Sequence, residues 1–174
     1  MIKELYKALS ERLATITEIK SIDLFRNQFQ TWKDETVYEF PLAFLKFDCD
    51  FQNRTQNTQT GTARIKVYVA TSFMGDTREG SATQDTGLQC FDIAQLVHEA
   101  LQGFQGEFFS ALSRTNLNQD ESPNSSYTIV QDYECEFIDI STSIAKDRIP
   151  VNPDLLLNTT TTPVRSIRID NPNS

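Results

Sequence analysis

Residues 39–51, EFPLAFLKFDCDF, and residues 61–71, GTARIKVYVAT, carry the pattern that decides the fold. In the first, Leu45, Phe47, Cys49 and Phe51 alternate with Lys46, Asp48 and Asp50. In the second, Ala63, Ile65, Val67 and Val69 alternate with Thr62, Arg64, Lys66 and Tyr68. Neighbouring side chains on a strand point to opposite faces, so each stretch predicts a strand with one apolar and one wet face. Residues 52–59, QNRTQNTQ, are too polar for burial, and the two strands read as a hairpin with a long, mobile tip.

Helical periods flank this hairpin. Ile2, Leu5, Leu9, Leu13 and Ile16 recur at steps of three and four, which stacks them on one face of an N-terminal helix. Residues 17–25 change to two-residue alternation, with Ile22 and Leu24 against Ser21 and Asp23, and predict a short strand. Residues 26–40 show no clean period and read as a loop. A punctuated linker, SFMGDTREGSATQDTG, leads into a second helix from about Leu88 to Gln102. Its apolar sector holds Ile93, Val97, Ala100, Leu101 and Phe104, and Gly103 and Gly106 end it. Phe108, Phe109 and Leu112 are expected as core plugs. Residues 116–125 read as a polar loop, and residues 126–140 as the longest strand, with Tyr127, Ile129, Tyr133, Cys135 and Phe137 on one side and Thr128, Asp132, Glu134 and Glu136 on the other.

The expected fold class is therefore α+β, a mostly antiparallel sheet of about four strands with two helices packed on one face. After Ile140 come four prolines and the run NTTTTP, a composition that cannot offset about 1–2 kcal/mol of backbone entropy per residue. Residues 1–140 are thus expected to form one domain and residues 141–174 an extended arm. Within the arm, Val164, Ile167 and Ile169 are spaced for a short strand on a sheet edge of this copy or another.

With 16 Lys and Arg against 24 Asp and Glu, the 174 residues carry a net charge of −8. That sign argues against a general nucleic-acid binder, which must replace counterions along phosphates. Cys49, Cys90 and Cys135 are odd in number and unpaired in spacing, so they predict reduced thiols rather than disulfides or a zinc knuckle. The N-terminus lacks the unbroken apolar run of a signal peptide, and no stretch is apolar enough to span a bilayer, so no membrane role is expected.

Chemistry is sparse. The lone histidine, His98, excludes a triad or two-histidine metal site built within one copy. No glycine run has phosphate-cradle spacing. Asp48 with Asp50 and Glu134 with Glu136 are paired carboxylates on strand faces that could hold Mg²⁺. The nuclease pattern of an Asp upstream of Glu-x-Lys is missing, however, because Glu18-Ile19-Lys20 has no Asp before it. No catalytic residue, metal or cofactor is assigned. The remaining reading is an interaction surface. Residues 118–139 contain six acids and no Lys or Arg, whereas the arm sets Lys146, Arg148, Arg165 and Arg168 against three aspartates. Asp132, Glu134 and Glu136 of one copy and these four cations of another are the candidate interface residues.

The four stretches EFPLAFLKFDCDF, GTARIKVYVAT, CFDIAQLVHEALQGFQGEFFSALSR and SSYTIVQDYECEFID, behind an N-terminal amphipathic helix, resemble the tail terminator and tail completion proteins of long-tailed bacteriophages. The resemblance covers roughly residues 1–140 and is one of pattern, without a catalytic signature. It implies a non-enzymatic virion protein of the tail or neck, assembled in the host cytoplasm. It also implies a homohexameric ring with the tail tube protein and a head-neck connector as partners, and DNA passing through the channel without specific binding. Other head-tail connector components, such as head completion and adaptor proteins, share parts of the pattern. The helix and strand order also has the outline of a small double-stranded RNA-binding module, although helix two is acidic where such modules are basic.

Overall fold

The computed structural model describes residues 1–28, 38–72, 75–120 and 126–142. The elements are α1 (Ile2–Leu13), β1 (Ser21–Leu24), β2 (Leu42–Asn53), β3 (Gln59–Ser72), α2 (Gln84–Leu101), β4 (Ser113–Asp120) and β5 (Ser126–Asp139). The strands form one sheet in the order β1-β2-β3-β5-β4. β1 lies parallel to β2, and every other neighbouring pair is antiparallel. The fold is α+β, with five strands in a mixed sheet rather than about four.

Register follows from burial. Ala63, Ile65, Val67 and Val69 of β3 stand opposite Cys135, Tyr133, Gln131 and Ile129 of β5, and opposite Cys49, Phe47, Leu45 and Ala43 of β2. These rows face the helices. Leu5, Leu9 and Leu13 of α1 and Ile93, Val97 and Leu101 of α2 close over them to form the main core. Each of those side chains contributes roughly 1.5–3 kcal/mol by leaving water. Both helices cover the same face of the sheet. α1 is one residue narrower than its spacing suggests, since Ile2 remains 44% exposed.

The opposite face is not wholly wet. Leu42, Phe44 and Ala70 are buried there under Phe25, Tyr38, Phe40 and Tyr68, with the Phe25 and Tyr68 rings stacked at 4.2 Å. The strand pattern identified the apolar row under the helices and missed this second, smaller core. The loop around residues 38–41 folds back and dries one end of the outer face.

Three other expectations are corrected. β2 and β3 pair through Asn53 and Gln59, so the polar tip shrinks to residues 54–58, closed by backbone bonds from Arg54 and Thr55 to the Thr58 carbonyl. Ladder hydrogen bonds do not require apolar side chains, which is why polarity misplaced the strand ends. α2 starts four residues before Leu88, and a β-carbon at Gly75 would come within 2.7 Å of the Gly87 nitrogen and the Thr83 carbonyl oxygen. Residues 113–120, half of which read as loop, form β4, an edge strand bonded to β5 through a bulge between Arg114 and Asn116. Phe109 and Leu112 are core residues as expected, but Phe108 is exposed. The expected loop at residues 26–40 and the arm from 141 onward lie largely outside the described residues, the latter from residue 143.

At Gly61 a β-carbon would meet the Asp50 carbonyl oxygen and come within 2.7 Å of the Phe137 ring. Gly61→Ala is expected to cost about 1–3 kcal/mol by overpacking. Urea unfolding measures this, and an unchanged midpoint would show that the strands can separate there without penalty.

Candidate assembly surface

The outer face of the sheet away from the Pro41 end is a ladder of charges. β2 supplies Lys46, Asp48 and Asp50, β3 supplies Arg64 and Lys66, and β5 supplies Asp132, Glu134 and Glu136. Arg64 sits centrally, 2.6 Å from Asp50 and 4.0 Å from Glu134, while Lys66 holds Asp132 at 3.1 Å. The acid run of β5 is thus interleaved with cations from the adjacent strand, which a count along the chain does not register. Exposed pairs of this kind add about 0–1 kcal/mol each and act mainly as register marks. Five carboxylates against three cations still leave the face acidic. Among the described residues, no three carboxylate, imidazole or thiolate groups gather as a metal site.

Glu136 differs from its two neighbours. It stands opposite Thr62 rather than a cation, and among the described residues no Lys or Arg pairs with it. It borders an open groove of about 660 Å³ at the hairpin-tip end of the sheet. Gln52, Thr60 and Thr62 contribute to its polar lining, and Phe108 and Ile138 to its apolar lining. The segment after α2 builds the groove wall: Ser110 N–H donates to the Glu136 carbonyl and Ile138 N–H to the Phe108 carbonyl, which extends the pairing along β5 beyond β4. Sequence reasoning missed this groove, because Phe108 looked like core and its exposure is set by where that segment bonds.

Of the seven interface residues expected from the sequence, Asp132, Glu134 and Glu136 share one face of β5. Lys146, Arg148, Arg165 and Arg168 lie outside the described residues. β5 is bonded on both sides, by β3 and β4, so its backbone offers no edge, and any approach to its acids is through side chains on the face.

Beneath the helices the sheet carries a closed polar network. Gln131, fully buried, donates through Nε2 to the Ala94 carbonyl at 2.7 Å, and its Oε1 accepts from the Tyr133 hydroxyl at 2.8 Å and from Arg114 at 3.3 Å. His98 Nδ1 lies 3.5 Å from the same hydroxyl. Burial pushes the Tyr133 hydroxyl upward and the Cys135 thiol up to about 11, with Cys49 and Glu134 adding to the latter. Neither is set up as a nucleophile, since the thiolate is the reactive form. His98 sits below the ordinary imidazole value because burial, and then the Arg114 charge, disfavour its cation. The network pins α2 to β5.

No protein-family model matches the sequence, and no curated protein matches it. Among solved structures, the chain is similar to one from the virion of a native gene transfer agent (GTA) particle. The TM-score is 0.53 at 11% identity, over 78% of this chain and 95% of that one. At that identity the likeness establishes a shared fold.

Gln131→Leu removes the acceptor shared by the Tyr133 hydroxyl and Arg114 and the donor to the Ala94 carbonyl, and is expected to destabilise by about 1–3 kcal/mol in urea titration. Because the folded His98 value lies below the unfolded one, the unfolded chain takes up the proton first, and stability falls as pH drops through the ordinary imidazole range. A His98→Gln variant is expected to show a shallower loss of its thermal midpoint over that range.

Proposed function

We propose that the chain is a non-enzymatic structural subunit of a phage-like particle that acts as a tail terminator, closing the tail tube as a ring and joining it to the neck. The observation that carries this is the fold shared with a chain of a GTA virion, which nearly the whole of that chain's length supports. The sequence pattern of the N-terminal helix, Pro-led hairpin, second helix and closing strand points the same way.

Physical features agree with this role. A channel that lets DNA pass should not retain phosphates, and a chain with an excess of eight negative charges gains little from binding them. The described residues hold no helix long and apolar enough to cross a membrane. The outer sheet face keeps an acidic excess, and in the assembled ring Arg165 and Arg168 of one copy approach Asp132 and Glu134 of the next. Such complementarity sets register and encounter rate more than affinity. The ring is hexameric, with the tail tube protein on one side and a head-neck connector on the other.

Mass photometry of the full chain, alone and mixed with tail tubes, tests the reading. A sixfold particle, or a monomer that assembles only on tube ends, is expected, and Arg165→Glu with Arg168→Glu is expected to weaken the assembly. A monomer that neither oligomerises nor binds tubes would contradict it.

A further inference from the structure

The groove beside Glu136 is open and has a volume of about 660 Å³. Its lining is mixed, with apolar side chains set among polar ones. Phe108 is 38% exposed and Ile138 44%. Phe108 and Ile138 are two large apolar side chains exposed in one groove, and they favour a cover. Two carboxylates, Glu107 and Glu136, line the same groove, and neither has a cationic partner among the described residues.

The chain's own course names the cover. After β5, Ser141 N–H donates to Asp139 and the Thr142 hydroxyl donates to the Asn57 carbonyl at 2.8 Å. That bond ties residue 142 to the hairpin tip, whose flanks, Gln52 to Arg54 and Thr60 to Thr62, line the groove. The residues that follow are SIAKDRI at 143–149. They supply two isoleucines, Ile144 and Ile149, and two cations, Lys146 and Arg148, the counterparts of what the groove exposes.

We propose that residues 143–149 of the same chain occupy this groove, with Ile144 and Ile149 against Phe108 and Ile138, and Lys146 and Arg148 facing Glu136 and Glu107. Docking in the same chain carries only a short loop-closure cost, since Thr142 is already tied to the hairpin tip. It divides the C-terminal segment into two parts. The first seven residues complete the subunit, and the remainder begins from a fixed point. The fifteen residues from Pro150 to Val164 then span at most about 50 Å, enough to carry Arg165 and Arg168 to a neighbouring subunit. The groove contact does not depend on the ring reading, because it is made within one chain.

Limited trypsin digestion of the full-length protein, with cleavage after Lys146 and Arg148 followed by mass spectrometry, tests this. Slow cleavage independent of protein concentration is expected in the parent chain. In Phe108→Ser and in Glu136→Lys, both surface changes, cleavage is expected to rise about tenfold, the scale set by exposing one large apolar side chain. Circular dichroism verifies that each variant is folded. Equal rates in the parent and both folded variants would overturn the proposal, and protection that grows with concentration would overturn it in favour of a second copy's segment. Either result leaves the mass-photometry test of the ring unaffected.

Discussion

The structure depends on the ladder between β3 and β5, paired without interruption from Gln59 with Asp139 to Ser72 with Ser126. Side chains alternate strictly along both strands, so a slip of one residue would drive Arg64, Lys66, Asp132 and Glu134 under the helices and put Ile65, Val67 and Tyr133 in water. The apolar rows on one side and the charge pairs on the other enforce the same register. β2 and β1 extend the sheet from β3, and β4 extends it from β5. α2 is held in place by Ile93 and Val97 in the core and by the bond from Gln131 to the Ala94 carbonyl.

Where burial on one face dictates residue type, the fold was legible in the sequence. The rows Leu5-Leu9-Leu13, Ile65-Val67-Val69 and Ile93-Val97-Leu101 were each assigned to the buried side, and all are buried. Legibility ended where backbone bonding, rather than burial, makes the structure. β4 reads SRTNLNQD, and its one large apolar residue, Leu117, is 46% exposed, so no period marks it as a strand. The hairpin strands run on through amide side chains for the same reason. The parallel placement of β1 beside β2 depends on the path of the intervening chain, which no local pattern encodes. The second core around Phe44 and Ala70 was hidden because its cover, Phe25 and Tyr38, comes from segments without periodicity.

The acid run of β5 was visible in the sequence, but its electrostatic meaning was not. Along the chain it looked like an uncompensated patch. In the sheet, Arg64 and Lys66 stand beside Glu134 and Asp132, and of these three β5 acids Glu136, opposite Thr62, has no cationic partner among the described residues. The face is therefore a patterned surface with a modest acidic excess, and Glu136 lies beside a groove.

The chain combines a five-stranded sheet, thiols held in inert form, a sheet face of mixed charge and a C-terminal segment rich in small polar residues. The central claim, that the chain is a structural subunit of a phage-like particle, is tested most directly by quantitative peptide mass spectrometry of such particles, purified to homogeneity from cells that express it. The account predicts the protein in intact particles at a fixed, low copy number relative to the tube protein, retained through high-salt washing. Its absence from particles that are complete and DNA-filled would contradict the account.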